Sequence, residues 1–466
     1  MKRRSLFLSI AFGIALTGLL LVALDHGDST TYAMAEPSLT AGEFEQGIRD
    51  EMQDEVSQAH IVVQFSDGDI AVRPVTWTGT ITRVSLLRRA GFDVETNATG
   101  FICSIDGNGC PVANCFGCGD NNWVQGQWAG TAWAEPFPFP APSDGDVFGF
   151  RNDPDWGLTG KLPGAPAFVA ASDALEWMRD YQLSDGSYPS WSGPIAGSTR
   201  ALIALGAAGY DPAEWGDPSL LTFLTVTSRT QTADFAATSA SSAGKLAIGA
   251  AWTDQVVTDF ASINLPISIT AYYSPTTGAY GAGSGDTAWA MLGLHASGEN
   301  IPTQAVEFLK SVQNADGGWA WNEWGTTSEV QHTALCIQAL LAAGEPLTTT
   351  EASNALAFIE SAENPDGGYG YTAGGDSDLN TTAYVLQTLL ATEPRPECNW
   401  CAEIRLRYLL SKQETDGSYA GFSPLYSVQE AVPVLMHRPY SPVGSWSYDC
   451  YVDYLPLVTS GHDSGS

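Results

Sequence analysis

The stretch QNADGGW, residues 313–319, holds the key to the fold: a Gln, then an Asp-Gly turn, then an aromatic residue. The same outline recurs as QLSDGSY (182–188), ENPDGGY (363–369) and QETDGSY (413–419), with SPTTGAY (274–280) as a degenerate copy. Asp316, Asp366 and Asp416 stand 50 residues apart, the signature of a structural repeat. After each turn comes a small-residue helix, as in GSTRALIALGAAG, GDTAWAMLGLHASG, VQHTALCIQALLAAG and LNTTAYVLQTLLA. Before most comes an amphipathic one, as in ALEWMRDYQ, AVEFLKSVQ, NALAFIESA and IRLRYLLSKQ. The amphipathic helix can face water, whereas its partner is apolar nearly all round and must be buried. Between 165 and 438 the pattern predicts about twelve helices, counting PSLLTFLTV, TSASSAGKLAIGAA and TDQVVTDFAS. Twelve helices make six hairpins, enough to close a ring, with Gly taking positive φ at the turns.

The rest of the chain reads differently. Lys2, Arg3 and Arg4 precede an apolar run from Leu6 to Leu24, and Ala33-Met34-Ala35 follows as a small-x-small cleavage site. Residues 1–35 are read as an export signal, either cleaved or retained as an N-terminal anchor, and 36–58 as an acidic linker. Residues 59–156 look β-rich. HIVVQFSDGDIAV alternates and turns at Asp67-Gly68, a hairpin signal. TRVSLLRRAGFDV is a short helix ending near Gly91, and GFICSIDGNGC and DGDVFGF are further strands. The ring occupies 165–438 and a C-terminal tail 439–466.

Composition narrows the function. The 466 residues carry 20 Lys+Arg against 52 Asp+Glu, a formal net charge of -32, which repels nucleic acid and anionic lipid heads. Trp, Tyr and Phe number 15, 17 and 18, enough to line a binding cavity. With an export signal, the cysteines belong to an oxidising compartment. Cys103, Cys110, Cys115 and Cys118 cluster, and Cys398 and Cys401 form a second close pair, so these six are read as disulfide cysteines rather than a zinc site.

The repeats resemble the prenyltransferase and squalene-oxidase repeat family, the terpenoid cyclase-like α/α toroids. Gln313-x-x-x-Gly317-x-Trp319 matches the Gln-Trp motif of triterpene cyclases in full. Residues 80–150 resemble the small β-domain of the transcobalamin and intrinsic-factor family, in which a toroid and a β-domain clamp cobalamin between them. GGDSDLNTTA (374–383) is similar to the cyclase acid box, Asp-x-Asp-Asp-Thr-Ala. Aligned on Thr382-Ala383, the resemblance puts Asn380 where that box has its proton donor, and an amide cannot deliver the proton. Asp376 and Asp378 are then a shifted acid pair, or a helix N-cap and rim. GCGDN (117–121) is similar to the thioester box of complement-like toroids, but Asn121 is one methylene short of the Gln that chemistry needs.

Without those resemblances, GGWAWNEWG (317–325) and GGYGY (367–371) put aromatics at matching repeat positions on one rim. Trp319 and Tyr369 read as packing elements. Trp321, Trp324 and Tyr371 are the ligand candidates, joined by Gln331, His332, Asp376 and Asp378. His332 and Cys336 share a helical face but lack a third metal ligand, so no metal site is expected.

The expectation is therefore a mainly α protein: an α6/α6 toroid preceded by a small disulfide-containing β-rich domain. It is expected to be non-catalytic, with no required cofactor, exported to the cell surface or beyond, and associated with the envelope only through its N-terminus. The two domains would clamp a bulky small molecule, with cobalamin or another corrinoid implied by the resemblance. The alternatives are a terpene cyclase-like or lyase-like enzyme using lumen acids, and a surface structural or adhesive protein.

Overall fold

The computed structural model describes residues 56–115, 122–130, 132–152, 162, 164–322, 324–392, 399–421 and 423–441. The N-terminal signal, Cys118, Cys398, the GCGDN segment and residues 442–466 lie outside the described residues, as does the Cys401 side chain. All described residues fall in one compact unit.

The first part is a small sheet region. β1 (Ser57–Gln64) and β2 (Ile70–Trp77) form the expected hairpin, turning through Asp67-Gly68 with Gly68 at φ 95°. Thr82 caps α1 (Arg83–Arg89) by accepting from the Ser85 N–H. β3 (Val94–Thr96), β4 (Ile102–Ile105) and β5 (Asn108–Gly109) make a three-stranded sheet. β6 (Trp123–Trp128), β7 (Trp133–Ala134) and β8 (Val147–Asn152) complete a five-stranded sheet in the order β2-β1-β8-β6-β7. β8 runs parallel to β1, filling the centre. Cys103 and Cys115 are disulfide-bonded to each other, and Cys110 is disulfide-bonded as well.

β1 alternates in direction, yet it is buried on both faces. Ala59, Ile61 and Val63 pack with Leu86 and Leu87 of α1 and with Phe148 and Phe150. Val62, Ile70, Val72 and Val124 join the core of the helical part instead. The sheet is thus a shared wall, which is why β1 reads as a near-continuous apolar run. Arg73 fastens the junction: its Nη1 donates to Ala208 O at 2.9 Å, and its guanidinium lies 3.7 Å from the Tyr210 ring centroid.

The helical part follows in chain order. Its helices are α2 (Ala165–Arg179), α3 (Pro194–Ala207), α4 (Arg229–Ala236), α5 (Ala240–Trp252), α6 (Leu265–Thr270) and α7 (Ser284–Ala296). Then come α8 (Thr303–Ser311), α9 (Val330–Ala342), α10 (Thr350–Ser361), α11 (Leu379–Thr392), α12 (Asn399–Lys412) and α13 (Pro424–Leu435). The odd-numbered helices from α3 onward are the small-residue ones, buried along nearly their whole length. Each packs on the next, and α13 packs back on α3. The even-numbered helices pack outside them: α6 on α5, α8 on α7, α10 on α9, α12 on α11, and α2 on α13. α5 and α7 approach so closely that a Cβ on Gly293 would lie 2.5 Å from the Gly244 Cα.

The repeated turn explains itself in hydrogen bonds. Asp316 Oδ1 accepts from the Gly318 N–H and the Ser328 hydroxyl, and Gly317 takes φ 89°. Asp366 does the same with Gly368 and Ser377. The aromatic that ends the motif sends its N–H to a hydroxyl on the following inner helix: Trp319 to Thr333, Tyr369 to Thr382, Tyr280 to Thr287 and Tyr188 to Ser198. Trp319 and Tyr369 are fully buried, so each anchors one hairpin, worth about 1.5–3 kcal/mol of burial. The Gln reaches sideways. Gln313 Nε2 donates to Gly317 O and to Glu351 O of the next hairpin, both at 2.8 Å. Gln413 Nε2 donates to Ala170 O of α2 at 2.7 Å, which ties the last repeat to the first.

Two predicted helices differ. TDQVVTDFAS yields only a 3-10 turn at Val257–Asp259, because Asp254 (φ 56°) and Ala261 (φ 54°) leave the helical region at either side. PSLLTFLTV yields one turn and then a π-helical stretch, Phe223–Thr227. There the Thr225 hydroxyl donates back to Leu221 O at 2.7 Å, competing with the regular ladder.

Candidate functional site

The inner helices carry ionisable residues in otherwise apolar sequence, and the ring brings them together. Arg200 comes from α3, Lys245 from α5, Asp286 from α7 and Glu430 from α13. Arg200 Nε lies 3.6 Å from Glu430 Oε1. The Tyr440 hydroxyl donates to Glu430 Oε2 at 3.4 Å, and Tyr384 also hydrogen-bonds that carboxyl. Lys245 Nζ sits 4.6 Å from the Trp289 ring centroid and feels both Glu430 and Asp286. The Asp286 carboxylate accepts from the Ala282 N–H at 3.1 Å.

Burial shifts these groups in the directions expected for charges removed from water. It raises the Glu430 carboxyl, against the opposing pull of Arg200 and Lys245. It lowers the Lys245 ammonium to about 8, helped by repulsion from Arg200. It holds the Tyr384 and Tyr440 phenols well above their ordinary value, so both remain donors.

The segment after α13 runs into the ring. Tyr440 stacks on Trp252 at 5.6 Å and meets Trp289 edge-on at 5.1 Å. Its N–H donates to Gln338 Oε1 at 3.0 Å. Arg438 Nη1 donates to Gly206 O at 2.6 Å, and its Nη2 lies 3.5 Å from Asp69 Oδ2 on the β1–β2 turn. Residues 438–440 thereby touch α3, α5, α7, α9, α11 and α13.

A second cluster lies where α9 begins. Glu329 precedes the helix and its carboxylate hydrogen-bonds His332 Nδ1. The same carboxylate accepts from the Trp321 backbone N–H at 3.0 Å and from the Tyr371 hydroxyl. Burial pushes Glu329 up, but these hydrogen bonds outweigh it and hold it below its ordinary value. Burial and Glu329 push Tyr371 up to about 12, so it stays protonated. His332 is 8% exposed, with the Trp321 ring centroid 4.8 Å and the Tyr371 centroid 6.1 Å from its ring. Trp321 in turn lies on Gly285, where a Cβ would meet the indole at 2.2 Å.

Of the residues singled out from sequence, Trp321, Tyr371 and His332 are in that cluster. Gln331 hydrogen-bonds Tyr426, which lies one helical turn before Glu430. Trp324 stands apart, 77% exposed. Asp378 caps α11, its Oδ1 accepting from the Thr381 N–H at 2.8 Å, and Asp376 is exposed beside it. Asn380 Oδ1 is buried with no hydrogen-bond partner. Cys336 is buried and free, its thiol pushed far up by burial. Sequence reasoning missed Arg200, Lys245, Asp286, Glu329, Glu430 and Tyr440. The signal for most was a lone charge inside an apolar helix, as in GKLAIGAA or VQEAVPV.

Residues 299–421 match the family described as squalene-hopene cyclase C-terminal domain. No curated protein matches the chain. Among solved structures, the type II terpene cyclase MstE from Scytonema is similar at 13% identity and a TM-score of 0.46, over 58% of this chain and 97% of that one. A variant of MstE with geranylgeranyl dihydroxybenzoate bound gives 14%, 0.46, 59% and 97%. A wild-type glycosidase gives 12%, 0.42, 60% and 98%. Scores at this level carry no argument about chemistry. The family match contradicts the corrinoid-clamping expectation, since the repeats around Trp319 and Tyr369 match a squalene-hopene cyclase domain instead. The ring interior carries ionisable groups from different inner helices, with Glu430 between Arg200, Tyr384 and Tyr440, which the corrinoid reading leaves without a role.

Proposed function

We propose that this chain is a terpene cyclase-like toroid enzyme, an α6/α6 ring that starts its reaction by protonating a polyprenyl alkene from Glu430. The observation that carries the reading is Glu430 itself, a carboxyl inside the ring between Arg200, Tyr384 and Tyr440. An acid of this kind must be protonated at rest and stabilised once its proton has left. Burial serves the first need. Arg200 and the two phenolic hydroxyls serve the second, because they already point at the oxygens where charge will appear. Trp289, Tyr384 and Tyr440 offer π faces to the carbocation that forms. Asn380 leaves the usual donor position without an acid, and α13 packs directly on α11, so the acid is supplied from the neighbouring helix.

The exported location read from Lys2–Arg4, the apolar run and Ala33-Met34-Ala35 is consistent with the Cys103–Cys115 disulfide and is kept as part of the proposal. The likeness of residues 80–150 to the transcobalamin small domain is taken as structural, a wall against α2 rather than half of a clamp.

The test is incubation of the purified protein with geranylgeraniol and with squalene, followed by gas chromatography and mass spectrometry. Cyclic isomers of the substrate are expected, with a loss of about 100-fold or more in Glu430→Gln. Equal turnover by that variant sinks the assignment of the acid.

A further inference from the structure

A cyclisation begun by adding a proton ends by losing one from carbon or by capturing water. The final cation forms several carbons away from the alkene that Glu430 protonates, so a base elsewhere in the fold would serve the finish. We propose that His332 is that base, oriented by Glu329; the inference rests on the cyclisation reading above. His332 Nδ1 is committed to Glu329, which leaves Nε2 as the nitrogen with a free lone pair. The Glu329 carboxylate is held by three donors, from His332, Trp321 and Tyr371, so it stays ionised and can stabilise an imidazolium. The Trp321 and Tyr371 rings pack near the imidazole and His332 is 8% exposed, so little water reaches it, which favours proton loss over hydration. His332 stands in the first turn of α9, an inner helix that packs on α7 and α11, next to Gln331, which bonds Tyr426 of α13.

The step balances. The Glu430 O–H bond breaks and a C–H bond forms at the first alkene. At the finish a C–H bond beside the cation breaks, its electron pair becomes the new C=C bond, and the proton goes to His332 Nε2. The imidazolium returns its proton to solvent and Glu430 takes one back, so the net reaction is an isomerisation with no co-reactant. Glu329, Tyr371 and Trp321 are positioning residues.

The experiment is product analysis of wild type, His332→Phe, His332→Gln, Glu329→Gln and Glu329→Asp with geranylgeraniol and squalene. Both His332 variants are expected to shift the ratio of wild-type alkene to alcohols and isomeric alkenes by about tenfold or more. Glu329→Gln is expected to shift it the same way, and Glu329→Asp to restore part of the wild-type ratio. A folding defect lowers total turnover without moving that ratio. An unchanged ratio in whichever His332 variant folds overturns the base and leaves the Glu430 reading standing. No cyclic product from the wild type overturns both.

Discussion

Acid should loosen the segment that closes the ring, and His437 sets how much. His437 follows α13 with φ 54°, and both ring nitrogens are buried without a partner, beside the Phe168 ring of α2. Burial lowers its pKa from 6.5 to about 4. The folded chain therefore keeps the imidazole neutral over a range in which the unfolded chain protonates it. The unfolded state binds more protons between about pH 4 and 6.5, so stability is intact above 6.5 and falls as pH drops toward 4. The gap of about 2.5, at about 1.4 kcal/mol per pH unit, comes to about 3.5 kcal/mol in full, of which about 3 kcal/mol is lost by pH 4. Denaturant unfolding of wild type and His437→Leu, measured at steps from pH 7 to pH 4, isolates this contribution from the carboxylates. Wild type is expected to lose about 3 kcal/mol more than the variant across that range. Parallel losses in the two proteins would refute the burial of His437 against α2.

Other outcomes follow from the packing. Gly244→Ala puts a Cβ 2.3 Å from Trp289 O at the α5–α7 crossing, and should cost about 3 kcal/mol or more in urea unfolding. Gln413→Ala removes the donor to Ala170 O and Gly417 O, and should cost about 1–3 kcal/mol. If the ring is closed through this residue, hydrogen exchange should quicken in α2 and the 413–419 turn together. Removing Cys103–Cys115, which spans 12 residues, in the Cys103→Ser, Cys115→Ser double variant should lower stability by about 3 kcal/mol, read as a drop in the unfolding midpoint.

Much of the ring was legible because each repeat repeats its own chemistry. Gln313, Asp316, Gly317 and Trp319 each make a local bond that their sequence spacing already implies. Asp378, three residues before Thr381, is an ordinary N-cap signal. The sheet was legible as strands but not as a wall, since nothing local in HIVVQF distinguishes the face that meets α1 from the face that meets α2. The candidate acid was legible only as a lone charge in an apolar helix, not as part of a site. Arg200, Lys245, Asp286 and Glu430 lie on four different repeats, and only ring closure brings Arg200 to within 3.6 Å of Glu430. GGDSDLNTTA drew attention to α11 because its outline is local. The carboxyl that the proposal uses is on the helix beside it, where no short motif surrounds it.

The central claim, cyclisation started by proton transfer from Glu430, is tested most directly by turnover in deuterium oxide. The account predicts a cyclic product carrying one deuterium on the carbon that receives the first proton. It also predicts that Glu430→Gln loses this product while the Asp376→Asn, Asp378→Asn double variant keeps it. A deuterium-free product, or a double variant that is inactive while Glu430→Gln still turns over, would contradict it.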